Sequence, residues 1–111
     1  MDYQDIHSIE DLKHITEAQP AVLVYFSHHN CNVCKVLKPK VRELIENNFP
    51  RIALYYVNTL KQPETAGQYT VFTVPTILVF FEGKEYVRES RHVNLDKFYE
   101  RLNKLYATFF G

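Results

Sequence analysis

Residues 21–26 read Ala-Val-Leu-Val-Tyr-Phe, an unbroken apolar run rich in β-branched and aromatic side chains. A strand with one face in water alternates polar and apolar residues, so a run without alternation belongs to a strand covered on both faces. A sheet lying between layers of helices supplies that environment. After it, Leu37, Val41, Leu44 and Ile45 recur at helical spacing and Asn47-Asn48 supply a stop, which predicts a helix following the strand directly. Ile52–Asn58 is a second apolar strand. Strand, helix, strand in this order closes almost always as a right-handed parallel crossover, so the first half of the chain is a parallel βαβ unit.

The flanking segments complete the order. Ser8 stands as an N-cap before Glu10 and Asp11, and Leu12 and Ile15 give a short helix to about Glu17, ahead of Pro20. Pro63 opens a weak helical segment to about Tyr69, and the connector Val71-Phe72-Thr73-Val74 ends at Pro75. Thr76–Phe81 and Glu85–Arg91 are β-rich runs separated by the turn Phe81-Glu82-Gly83-Lys84, which suits an antiparallel hairpin. From the N-cap Asn94, the residues Leu95, Phe98, Leu102, Leu105 and Phe109 fall on one helical face. Phe109-Phe110 and the neighbouring tyrosines are expected to pack on the sheet rather than form a dimer surface, so a monomer is expected. No repeat or flexible linker interrupts residues 1–111, and that length suits a single domain.

Charge and hydropathy exclude several classes. Thirteen Lys and Arg balance thirteen Asp and Glu, leaving no net positive field to collect a phosphate backbone, so no nucleic-acid partner is expected. The apolar runs fall far short of the roughly 20 residues that span a bilayer, so no membrane association is expected either. Met1-Asp2-Tyr3-Gln4-Asp5 carries acids where a secretory leader needs a basic stretch and an apolar run, and a cytoplasmic location is the expectation.

Cys31 and Cys34 are the only cysteines. A bridge between them closes a very small loop and adds little stability by the chain-entropy argument, so its value is chemical. The pair falls at the junction of the buried strand and the following helix. If that helix starts near Asn32, its unpaired N–H groups converge on Cys31 and favour the thiolate, which makes Cys31 the expected nucleophile. Cys34 lies about one turn on, within reach of a mixed disulfide on Cys31, and is the expected resolving thiol. Lys35 adds a nearby cation on a flexible stem and receives no role. The adjacent His28-His29 invite a metal reading, yet two neighbouring histidines and a helix-start Cys-x-x-Cys do not converge readily on one tetrahedral ion, so no metal and no cofactor are expected.

With these residues in place the chain resembles the thioredoxin family over nearly its whole length. The resemblance rests on the strand Val22–Phe26, on Cys31-Asn32-Val33-Cys34-Lys35, on a helix proline at Pro39, on Val74-Pro75-Thr76, and on the closing hairpin and helix. It implies an α/β, thioredoxin-like fold: a central mixed β-sheet flanked by helices on both faces, built as βαβ plus ββα. It also implies a cis bond before Pro75, with the backbone of Val74 pairing with an extended segment of substrate. The activity implied is thiol–disulfide oxidoreduction of protein disulfides through Cys31 and Cys34, with electrons from a reductase or a small thiol. The sequence departs from the family at several positions. Asn32-Val33 replaces Gly-Pro between the cysteines, and Asn30 and Ser27 stand where tryptophans are usual. Tyr25 and Tyr56 occupy the positions of a buried aspartate and its lysine partner, and Arg91 lies near the glycine that usually lets a partner approach. These departures support the alternative of a thioredoxin-fold binding or redox-sensing module with little turnover.

Overall fold

The apolar run of the sequence is the middle strand of a five-stranded mixed sheet in the computed structural model, which describes residues 2–111. In chain order the elements are β1 (Gln4–Asp5), α1 (Ile9–Ala18), β2 (Ala21–Ser27), α2 (Asn32–Asn48), β3 (Ala53–Asn58), α3 (Pro63–Gln68), β4 (Thr76–Phe81), β5 (Lys84–Ser90) and α4 (Leu95–Phe110). The strand order is β1-β3-β2-β4-β5. β2 runs parallel to β3, pairing Val22 with Ala53 through Ser27 with Asn58, and antiparallel to β4, pairing Ala21 with Phe81 through Phe26 with Thr76. All seven residues of β2 are buried.

Side-chain alternation along β2 divides the core into two layers. Ala21, Leu23 and Tyr25 face a cluster with Leu37, Val41 and Ile45 of α2 and Phe98 and Leu102 of α4. Val22, Val24 and Phe26 face the other layer, with Leu12 of α1 and Ala66 of α3. A fully buried Leu or Phe stabilises the fold by about 1.5–3 kcal/mol, so a strand that feeds both layers at every position ties the helices to one frame. The aromatic end of α4 is part of this packing. Phe109 stacks on Phe81 with ring centroids 4.9 Å apart, and Phe110 lies under the Arg51 guanidinium at 4.1 Å.

Three elements differ from the sequence reading. β1 was not expected, because two exposed polar residues carry no apolar period; it forms by parallel pairing of Gln4 with Tyr55 and Asp5 with Tyr56. The hairpin turn is only Glu82-Gly83, both with positive φ (53° and 82°), which pairs Lys84 with Phe81 and draws Lys84 into β5. Arg91 correspondingly falls outside the strand and takes a left-handed conformation (φ 62°), while its N–H donates to the carbonyl of Pro75 at 2.8 Å. Among the described residues no helix is long and apolar enough to cross a membrane.

Two stability measurements follow from this packing. Phe98→Ala removes a fully buried ring and is expected to cost about 3–5 kcal/mol in urea unfolding, whereas Phe72→Ala, at a side chain 80% exposed, stays within about 0.5 kcal/mol of the parent. Arg91→Gly relieves a left-handed conformation that costs a side-chain-bearing residue about 1–2 kcal/mol, partly offset by the greater freedom of an unfolded glycine. The variant is expected to match the parent or exceed it by up to about 1 kcal/mol.

Candidate functional site

β2 delivers the chain to one end of the sheet, where His28, His29 and Asn30 make a short turn closed by the Cys31 N–H on the His28 carbonyl at 3.2 Å. Cys31 is the N-cap of α2, in extended backbone conformation, and its Sγ accepts the N–H of Cys34 at 3.2 Å. The two cysteines form a disulfide with Cα atoms 5.3 Å apart. They are not equivalent: Cys31 is half-buried, while Cys34 is 1% exposed and belongs to the core. No acid occupies the first turn of α2, so the positive end of the helix dipole acts on Cys31 without a local carboxylate to cancel it. A sulfur that accepts backbone N–H groups at such a terminus is stabilised as the anion.

The antiparallel pairing of Phe26 with Thr76 brings the start of β4 beside the end of β2. Val74-Pro75 lies just ahead of that start, and its peptide bond is cis, as the family resemblance implies. Thr76 Oγ1 donates to the Thr73 carbonyl at 2.8 Å and Arg91 donates to Pro75, so this loop is held on two sides. Among the described residues none hydrogen-bonds the N–H or C=O of Val74.

Beneath Cys34 lies a cluster of phenols. The hydroxyl of the fully buried Tyr25 donates to the Cys34 carbonyl at 2.9 Å. One turn further along α2 the Tyr3 hydroxyl donates to the Lys38 carbonyl at 2.8 Å. Ser27 Oγ donates to the Tyr56 hydroxyl at 3.1 Å, and the Lys38 ammonium sits 3.8 Å from the centre of the Tyr56 ring and 5.0 Å from that of Tyr3. Burial pushes the Tyr25 phenol well above its ordinary value, with the neighbouring Tyr56 adding to the shift. Burial also lowers Lys38, against the pull of Asp2 and Asp5. Where the family resemblance places an aspartate and a lysine on adjacent strands, this chain has two phenols, with a cation supplied from α2 instead. The sequence reading missed Lys38. Its signal was the spacing of four from Cys34, which puts both residues on one helical face between the core positions Leu37 and Val41.

The other residues singled out in the sequence lie around the disulfide. Asn32 and Val33 are exposed at the start of α2. With Val36 and Lys40 they form one wall of a groove of about 720 Å³, whose other wall is the segment from Arg91 to Leu95. A second groove is lined by His28, Leu60, Phe72 and Val74, among others. Among the described residues no group of three or more His, Cys, Asp or Glu side chains is placed to hold a metal ion.

The family model for thioredoxin matches residues 7–104. The chain is 31% identical over 106 residues to thioredoxin-like protein YdfQ of Bacillus subtilis (strain 168), an alignment covering 96% of this chain and 94% of that protein. Its fold is similar to thioredoxin of Fasciola hepatica, with a TM-score of 0.78 at 28% identity over 91% of this chain and 97% of that one. It is also similar to thioredoxin of Trypanosoma brucei brucei, with a TM-score of 0.82 over 94% and 90%, where 19% identity speaks for the fold alone. A match of this extent, on a fold that carries a closed Cys-x-x-Cys pair at the junction of its central strand and second helix, means that the chain belongs to the thioredoxin family and is a thiol–disulfide oxidoreductase.

Proposed function

We propose that the chain reduces disulfides of protein substrates, with Cys31 as the nucleophile and Cys34 as the resolving thiol. The observation that carries this reading is the inequality of the two sulfurs: Cys31 caps a helix at the surface and Cys34 is enclosed. In the reduced protein the Cys31 thiolate attacks one sulfur of the substrate disulfide. That S–S bond breaks, the mixed disulfide forms, and the departing substrate thiolate takes a proton from solvent. Cys34 then loses its proton and attacks the Cys31 sulfur, releasing the second substrate thiolate and leaving the Cys31–Cys34 disulfide. Two electrons pass from the dithiol to the substrate, and a reductase or a small thiol returns them.

Val74, whose N–H and C=O lack partners among the described residues, pairs with an extended segment of the substrate, and Pro75 presents that backbone toward the cysteines. Asn32 and Val33 form the exposed edge of the site. Residues 1–111 act as one domain and as a monomer, in keeping with the inward packing of the α4 aromatics, in the cytoplasm, where a reduced dithiol persists.

Alkylation of the reduced protein below about pH 8 is expected to label Cys31 well before Cys34. Cys34→Ser is expected to accumulate mixed disulfides with substrates while Cys31→Ser forms none, and the reverse pattern would exchange the two roles.

The Tyr25 phenol, held neutral by burial, accepts no proton near neutral pH, so Cys34 must release its proton without help from that position. Rapid mixing with a model disulfide should therefore resolve an ordinary first exchange and a slower release that accelerates with pH toward about 8.5, the ordinary thiol value. Tyr25→Asp is expected to speed release near neutral pH by about tenfold or more, while a carboxylate in the core lowers stability by about 2–4 kcal/mol. A release rate that is fast and flat between about pH 6 and 8 would show that another group removes the proton.

A further inference from the structure

Among the described residues Arg91 is one of three non-glycine residues with a left-handed backbone, with Thr70 and Glu82, and of the three it alone lines the groove beside Asn32 and Val33. It holds a left-handed conformation that glycine would adopt freely, and its N–H ties it to the carbonyl of Pro75. The other four arginines are all engaged: Arg42 with Asp2 and Glu46, Arg51 with the Phe110 ring, Arg88 with Glu85, and Arg101 with the Tyr86 carbonyl. Among the described residues the Arg91 guanidinium has no such partner, and neither has the Lys40 ammonium. Both line the groove beside Asn32 and Val33, on opposite walls, and no carboxylate lines it. The groove lined by His28 and Phe72 contains no acid either. Because acids and bases balance over the whole chain, this cationic rim is a local feature rather than the edge of a basic protein.

On the wall that carries Lys40, Val33 and Val36 stand 61% and 60% exposed, an apolar surface against which a peptide can lie. A guanidinium and an ammonium beside such a surface suit a carboxylate side chain, which arginine grips with two parallel N–H groups. We propose that the chain selects protein disulfides whose cysteine has an acidic neighbour, recognised by Arg91 and Lys40 across the groove between α2 and the loop before α4. This rests on the exchange reaction proposed above and adds the class of substrate. Arg91 is thus a specificity-determining residue, and its unfavourable backbone conformation falls at the proposed point of contact with substrate.

The test uses disulfide-linked peptides identical except for Glu, Gln or Lys on either side of the cysteine, together with redox-inert counterparts carrying Ser for Cys. The Glu peptide is expected to exceed the Gln peptide in kcat/KM by about tenfold at low ionic strength, and the Lys peptide to fall below both, with the differences shrinking in high salt. Arg91→Gly and Lys40→Gln should each reduce the Glu-to-Gln ratio several-fold, while Lys104→Gln, the same change of charge far along α4, leaves the ratio intact. Glycine suits the backbone at Arg91, so a lost preference there is not a folding defect. Binding of the Ser peptides reads the groove independently of exchange. Equal turnover and equal binding of all three peptides overturn the acidic preference and leave the exchange reaction standing. A preference for the acidic Ser peptide without turnover of any disulfide supports the groove and removes the exchange reaction. Dependence on Arg91 confined to glutathione disulfide, with the peptides unaffected, assigns the groove to a small thiol and overturns the proposal.

Discussion

The structure depends on β2 being hydrogen-bonded along both edges and covered on both faces. Its pairing with β3 fixes where α2 must return, and its pairing with β4 fixes where the hairpin and α4 attach. Because every side chain of β2 is buried, a slip of one residue would exchange Tyr25 with Val24 or Phe26 between the two layers and misplace the helices on each side. The chemistry is placed by the same constraint. The end of β2 sets the start of α2, hence the cap at Cys31, and the antiparallel partner sets Pro75 alongside it.

Around the disulfide the two sulfurs meet opposite environments. Cys31 faces the open end of a 17-residue helix, where unpaired N–H groups stabilise negative charge. Cys34 faces inward over Tyr25, whose hydroxyl, kept neutral by burial, donates to the Cys34 carbonyl and provides no proton acceptor near neutral pH. The tyrosine hydroxyls on the Cys34 and Lys38 carbonyls tie the first turns of α2, ahead of Pro39, to Tyr25 of β2 and to Tyr3 just before β1. Lys38 brings a cation into the phenol cluster from the helix, held by the faces of two aromatic rings rather than by a carboxylate. The site therefore keeps the geometry of dithiol exchange while its interior electrostatics differ from those the family resemblance implies.

The surface around the disulfide is divided as well. Phe72 and Leu60 expose apolar area in one groove, and in another Arg91 and Lys40 place positive charge beside Val33 and Val36. Folding alone does not account for Arg91, since its side chain gains no internal partner and its backbone conformation is unfavourable. The recognition of an acidic substrate proposed above accounts for it.

β2, α1, α2, α4 and the hairpin were legible in the sequence alone, because apolar period, N-caps at Ser8 and Asn94, and a Gly-containing turn act over a few residues and need no distant partner. The sequence also determined that Cys31 and Cys34 fall at a strand-to-helix junction, since both neighbouring elements are strongly patterned. The strand order, the edge pairing of Gln4-Asp5, the seat of Lys38 above Tyr56 and the left-handed turn at Arg91 were decided only by the tertiary structure. Each of these joins residues far apart in the chain: Gln4 with Tyr55, Lys38 with Tyr56, Arg91 with Pro75. Such contacts leave no local periodicity to read, because their energy is realised only once the sheet has brought the two segments together.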